Sequence, residues 1–253
     1  MKKSFLIIAI LLYLISSKCY SGDKIRYQLN SLDSTYYVTY MAYQNPNKNY
    51  KNIDSTIYIA DSIEFSGKKY PVTGIGAYAF MHAGKLDTVY LPNTIKFIDS
   101  WAFSNTGIRY IVFGDSLESI GQKAFADPCS VTELHFPASL KSISTNAFQY
   151  PYHLKDVYCE GLTPPSLGYY VFYLSGDMEA QLHNINLHVP QGATSAYKNA
   201  GHWGYFNIIE DSEIPTSVNL TKKGNESNIA IENGHLYIIK DGIKYNLLGN
   251  KIH

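Results

Sequence analysis

The chain has 253 residues, enough for one large or two small domains, and its hydrophobic content of 45% excludes a globally disordered polypeptide. Its 21 Lys and Arg balance 21 Asp and Glu, so it lacks the basic excess expected of a nucleic-acid binder. Tyrosine is abundant at 23 residues, a composition suited to half-buried sheet surfaces and interfaces.

The N-terminus reads as an export signal over residues 1–21. Lys2 and Lys3 precede an apolar run from Phe5 to Ile15, whose 11 residues are too few to span a bilayer but suit a signal segment. Cys19 and Ser21 then stand at the −3 and −1 positions of a small-x-small cleavage site before Gly22. Lipidation at Cys19 is the weaker alternative, because Lys18 and Ser16 depart from the residues that processing favours. No other apolar run is long enough to span a membrane, so the mature chain is expected to be secreted or held at the cell surface.

Residues 22–74 read as an N-terminal cap with a first partial repeat, in which "TIYIADSI" (56–63) forms a strand. Four repeats follow over 75–166. "IGAYAF" (75–80), "IDSWAF" (98–103), "IGQKAF" (120–125) and "ISTNAF" (143–148) share I-x-x-x-A-F at spacings of 23, 22 and 23 residues. Between them run "LDTVYLPNTI" (86–95), "IRYIVFGDSL" (108–117), "VTELHFPASL" (131–140) and "LKDVYCEGL" (154–162). The alternation in L-x-x-V-x-L predicts a strand with one buried face, closed by a proline that cannot donate to a ladder. Ile, Ala and Phe at i, i+4 and i+5 fit one side of a helical turn, with Ala allowing close approach and Phe filling the interior. No unit can bury these faces alone, so the units must stack. The spacing widens to about 30 residues at both ends, where "EFSGKKYPV" and "YLSGDMEAQ" bring turn chemistry.

The segment "IVFGDSLESIG" resembles the nucleophile block of the GDSL esterases, which would make Ser116 catalytic. The repeat register removes that reading. "PNTI", "GDSL" and "PASL" share one column, so Ser116 is the counterpart of Thr94 and Ser139, and the chain has no Asp-x-x-His to supply a base. The same register places Cys159 at a buried strand position and Cys129 about seven columns earlier. Seven extended residues span roughly 23 Å, whereas a disulfide needs Cα atoms about 4.4–6.8 Å apart. Two free thiols are expected.

Residues 167–210 read as a last partial repeat and a C-terminal cap, with "INLHVPQGA" (185–193) as the last strand of the series. The closing "LHVPQGATSAYKNAGHWGYFNIIE", the opening "YPVTGIGAYAF" and the four I-x-x-x-A-F units together resemble the BspA-like leucine-rich repeats of bacterial surface proteins, over roughly residues 25–210. The closing block looks like that family's terminal cap, with Tyr197, Trp203 and Phe206 as covering bulk. The resemblance implies a β-dominated leucine-rich repeat solenoid, with parallel strands on a concave face and short helical turns on the convex face. It also implies an extracytoplasmic, adhesin-like protein with no catalytic residues and no cofactor, although this array is short for a long-reach adhesin.

Residues 211–228 read as a polar linker. Residues 229–253 then read as a small antiparallel β-meander, with hairpin turns at Asn233-Gly234 and Asp241-Gly242. Its end, "YNLLGNKI", resembles the C-terminal sorting domains of a Bacteroidetes-type secretion system, or is simply a β appendage.

The outward column of the stacked strands holds Tyr58, Tyr90, Val112, His135, Tyr158 and His188. Two residues earlier lie Thr56, Thr88, Tyr110, Glu133, Asp156 and Asn186. This aromatic stripe, bordered by acids and amides, is the candidate surface for a host protein, matrix component or glycan, through Tyr58, Tyr90, Tyr110, Glu133, His135, Asp156, Tyr158 and His188. Glu133, His135, Asp156 and His188 are spread over three repeats without a compact ligand motif, so no metal site is expected. The competing reading is a structural, self-associating envelope or matrix component that assembles through an open edge or the C-terminal segment.

Overall fold

The computed structural model describes residues 25–30, 35–39, 53–127, 130–212, 228–232, 235–240 and 243–245. The expected signal segment, Cys19, Cys129, the turn dipeptides at 233–234 and 241–242, most of the expected linker and the final "LLGNKIH" lie outside these residues.

Two parallel ladders run through the repeats, and both follow from where each unit puts its β-favouring residues. The outer strands of the units form the long ladder. Its first part pairs β3 (Thr56–Tyr58), β6 (Thr88–Tyr90) and β8 (Tyr110–Val112), with Tyr58 opposite Tyr90 and Tyr90 opposite Val112. Its second part pairs β10 (Glu133–Phe136), β12 (Asp156–Cys159), β14 (Asn186–Pro190) and β15 (Asn207–Asp211). The ladder is interrupted between β8 and β10. There the units meet through the Ser130 N–H donating to the Ile108 carbonyl (2.9 Å) and the Phe113 and Phe136 rings at 5.8 Å. In β10 and β12 burial alternates, so Leu134, Phe136, Val157 and Cys159 face the core while Glu133, His135, Asp156 and Tyr158 face outward. Cys159 is buried with a free thiol.

The short ladder carries the opening Ile of each I-x-x-x-A-F motif. It runs from β5 (Lys68–Ile75) through β7 (Phe97–Ile98), β9 (Ser119–Ile120) and β11 (Ser142–Ile143) to β13 (Ser166–Leu167). Ile75, Ile98, Ile120, Ile143 and Leu167 stand side by side. Leu167 thus opens a fifth unit, "LGYYVF" (167–172), in which Leu and Val replace Ile and Ala. At the other end β1 (Arg26–Asn30) and β2 (Thr35–Thr39) form an antiparallel pair, and β2 joins β5 in parallel. The insertion before the first motif is a hairpin of β4 (Ser62–Phe65) with β5, closed at Ser66 and Gly67, both with positive φ as a type I′ turn requires.

The I-x-x-x-A-F segment is not the helical turn its spacing suggests. The residue three after the opening Ile or Leu is left-handed in all five units: Tyr78, Trp101, Lys123, Asn146 and Tyr170 have φ between 53 and 62°. Four residues later His82, Asn105, Asp127 and Tyr150 are left-handed too. The reason lies in the hydrogen bonds. The N–H groups of Tyr78, Phe80 and His82 donate to the carbonyls of Ser100, Ala102 and Ser104 in the next unit, and Trp101, Phe103 and Asn105 do the same to Gln122, Ala124 and Ala126. The amides between them close tight turns inside the unit, as Ala102 to the Asp99 carbonyl and Ser104 to the Trp101 carbonyl. A helix would direct every amide back along its own chain, so the left-handed residues are what turn alternate amides toward the neighbour.

The same rise stacks the phenylalanines. Phe80, Phe103, Phe125, Phe148 and Phe172 form one buried column with successive centroids 5.1, 5.2, 5.0 and 5.5 Å apart. At its end Phe172 meets Trp203 at 5.9 Å and Phe206 at 5.5 Å. The buried Trp203 Nε1 donates to the Pro165 carbonyl at 2.8 Å and Tyr197 Oη to the Gly161 carbonyl at 2.9 Å, so neither polar group is left unpaired. Helices α1 (Met178–Leu182) and α2 (Thr194–Lys198) and a 3₁₀ turn at Gly201–Tyr205 are the helical elements among the described residues. Near the C-terminus β16 (Asn228–Glu232), β17 (His235–Lys240) and β18 (Ile243–Tyr245) form an antiparallel ladder.

The left-handed turns predict the sign of one substitution. In a helix Asn146→Ala would stabilise, because Ala is the better helix former. At φ 61° the added penalty for a Cβ without Asn's local hydrogen bonding should instead destabilise the fold by about 1 kcal/mol, measurable by urea unfolding.

Candidate functional site

The long ladder carries Tyr58, Tyr90, Tyr110, Glu133, His135, Asp156, Tyr158 and His188 of the candidate surface, but the gap between β8 and β10 divides them into two groups. In the first, Tyr58 and Tyr90 stack at 4.7 Å with their planes within 6°. Tyr90 is only 6% exposed and Thr88 only 8%, so neither belongs to an open surface. Burial holds both phenols above their ordinary pKa, and Tyr90 is pushed to about 12, with a smaller contribution from Tyr58. Tyr110 is the accessible aromatic of this group at 38% exposure, with the Arg109 guanidinium 5.7 Å from its ring centre. Arg109 itself pairs with Asp87.

In the second group three flat rings form a continuous stack. His135 lies 4.3 Å from Tyr158, and Tyr158 lies 4.2 Å from His188, with interplanar angles of 11° and 14°. Strands 4.7–4.9 Å apart bring in-register side chains to this distance without further adjustment. Carboxylates border the stack. Glu133 Oε1 is 3.9 Å from His135 Nε2, Asp156 Oδ1 is 3.4 Å from His188 Nε2, and Asp211 Oδ2 is 2.8 Å from His188 Nδ1. An amide chain joins the same row: Asn207 Nδ2 donates to Asn186 Oδ1 at 2.8 Å, and Asn186 Nδ2 to Asp156 Oδ1 at 2.9 Å. Tyr158 has its phenol pKa raised, first by burial and then by Asp156, Glu133 and Asp211. Among the described residues no group of three His, Cys, Asp or Glu side chains is arranged to hold a metal ion.

Asp211 was not among the residues singled out from sequence. The segment "NIIED" lacks the alternation of the earlier strands, yet β15 pairs in register with β14 and places Asp211 opposite Pro190.

Ser116 sits in the turn that follows β8, in the column of Thr94 and Ser139. Those two hydroxyls donate to the carbonyls of Asp61 and Leu117 in the preceding units, at 3.2 and 2.7 Å. Gly114 is explained by space, since a Cβ there would lie 2.3 Å from the Pro92 carbonyl oxygen. Asp115 is tied to Asn93, whose side chain both accepts from its N–H and donates to its carboxylate. The Gly-Asp-Ser-Leu match is thus accounted for by turn packing and a core leucine.

Glu160 follows β12 and is pushed up to about 7, by burial first and by Asp115 second, against a backbone hydrogen bond from Ala138 that lowers it. A carboxyl raised in the folded state favours folding below its unfolded pKa and loses that contribution as pH rises through the folded value. Glu160→Gln should therefore match the parent near pH 4 and exceed its stability increasingly up to about pH 7, with a constant difference above that. Urea midpoints across this range measure it.

Comparison with known proteins is consistent with the fold. A model of the BspA type leucine-rich repeat region matches residues 71–200 in six copies. Among solved structures, a leucine-rich repeat protein from T. pallidum superimposes with a TM-score of 0.51 at 20% identity, covering 76% of this chain and 81% of its own. A leucine-rich repeat protein from Bacteroides capillosus gives a TM-score of 0.46 at 25% identity, covering 57% of this chain and 99% of its own. The pneumococcal vaccine antigen PcpA gives 0.47 at 18%, covering 88% and 54%. No curated protein matches the chain in sequence. No helix among the described residues is long and apolar enough to cross a membrane.

Proposed function

The chain belongs to the BspA-type leucine-rich repeat family, and from that membership we propose a non-enzymatic, exported binding module. In this reading the stacked units form a solenoid, the outer side of the long ladder is its concave face, and that face engages an extracellular macromolecule. The export assignment rests on Lys2, Lys3 and the apolar run 5–15, together with the surface character of the family. The observation that carries the binding assignment is the His135–Tyr158–His188 stack bordered by Glu133, Asp156 and Asp211. The rings are held rigid by one another, so a ligand meets a preformed surface and pays little ordering entropy on contact. These side chains lie on the face opposite the buried Leu134, Val157 and Leu187.

The binding test is a side-by-side measurement of the full chain and a Tyr110→Ala/Tyr158→Ala variant against extracellular-matrix proteins and glycans. Tyr90 is left intact because it is buried. We expect a ligand of the parent to bind the variant at least about 30-fold more weakly, with an unchanged circular dichroism spectrum. Equal affinity in both proteins would move the working surface off this face.

A further inference from the structure

We infer that the turns of the last two units carry a second ligand site, a platform of exposed tyrosines that binds a neutral sugar chain. It is separate from the outer side of the long ladder and does not depend on that face binding anything.

The first ground is where the exposed rings are. Of the six large hydrophobic side chains exposed among the described residues, four lie between residues 152 and 170: Tyr152 at 61%, Leu162, Tyr169 at 75% and Tyr170 at 51%. Exposed apolar residues scattered singly need no explanation, but a group of them marks a binding surface. The rings are also held in pairs. Tyr150 and Tyr152 lie 6.1 Å apart with planes within 11°, and Tyr170 and Tyr173 lie 5.0 Å apart. The Tyr150 N–H donates to the Tyr173 carbonyl at 2.8 Å, so the two pairs sit on neighbouring turns.

The second ground is that the backbone does not ask for these rings. Tyr150 and Tyr170 are left-handed, with φ of 64 and 55°. Bulky side chains disfavour that conformation and Asn accepts it more readily. Asn105 and Asn146 fill the same two columns in earlier units. Tyr170 thus puts a half-exposed ring where Asn would serve the turn better and the core gains nothing.

The surroundings give the class of ligand. Residues 142–154 and 161–176, which hold all five tyrosines, contain no Lys, Arg, Asp or Glu, in a chain where 17% of residues are charged. Half-buried Asn146 and Gln149 supply amides that both donate and accept. An aromatic face is electron-rich, so the C–H bonds on the flat side of a pyranose ring stack on it while the sugar hydroxyls pair with the amides. A protein partner fits less well. Three rings exposed by half to three quarters offer on the order of 400 Å², whereas a stable protein interface takes about 800 Å² from each partner.

The test titrates the full chain by calorimetry with neutral hexasaccharides of glucose, mannose, galactose and N-acetylglucosamine, at low and at roughly physiological salt. The parent is compared with Tyr152→Ser/Tyr170→Asn and with Tyr110→Ala/Tyr158→Ala. Asn at position 170 keeps the left-handed turn, so the urea midpoint of the first variant should match that of the parent. At least one hexasaccharide should bind the parent and the long-ladder variant equally, and the turn variant at least about tenfold more weakly. Its affinity should be the same at both salts, because no charge takes part. Binding by none of the four sugars overturns the inference, as does binding that the turn variant retains or that salt weakens. Binding lost only in Tyr110→Ala/Tyr158→Ala overturns it too and moves sugar recognition to the long ladder. Self-association of the parent that the turn variant loses, without sugar binding, overturns it in favour of a contact between copies of the chain.

Discussion

The structure depends on the hydrogen bonds that each turn makes to the turn beside it. In every I-x-x-x-A-F segment alternate amides donate to the next unit, and the ones between them close turns within their own unit. This satisfies the buried backbone completely only if neighbouring units are in register. The price is a left-handed conformation at residues such as Tyr78, Trp101 and Lys123, which cost of order 1 kcal/mol each. Register then fixes the rest. The residue after the left-handed one receives the neighbour's Phe amide on its carbonyl, Ala102, Ala124 and Ala147 as well as Val171, and the phenylalanines fall into a column at 5.0–5.5 Å because the backbone rise places them there. Insertions are accommodated only where they leave these bonds intact, as in the β4–β5 hairpin and helix α1.

That division of labour explains why the outer side of the long ladder can carry chemistry. Its inward residues, such as Leu134, Val157 and Leu187, are wholly buried, while its outward ones meet one another across units through the ring stack and the Asn207–Asn186–Asp156 hydrogen bonds. Tyr90 is the exception, being covered, and with Tyr58 it serves packing rather than recognition. The break between β8 and β10 isolates the ring stack and its carboxylates as a separate patch.

Much of this was legible in the sequence because the repeat is a physical unit. The spacing of 22 or 23 residues gave the stacking, and the alternation in L-x-x-V-x-L gave the burial of Val157 and Cys159. The register also removed Ser116 from consideration as a nucleophile. The turn geometry was not legible, since Ile, Ala and Phe at i, i+4 and i+5 suit a helix equally well and no glycine marks the left-handed positions. The fifth unit was obscured by Leu167 and Val171, which fill the same space as Ile and Ala at the end of the column. Asp211 lay beyond the Trp203 block, where the repeat pattern no longer pointed to a strand.

Amide hydrogen exchange of the full chain tests the inter-unit bonds most directly. If they govern the fold, the amides of Trp101, Phe103, Lys123, Phe125, Asn146 and Phe148 should exchange only with global unfolding, as slowly as Leu134 and Val157, although they lie in turns. Exchange of these six amides at the rapid rates of local opening, with the long ladder still protected, would contradict the account.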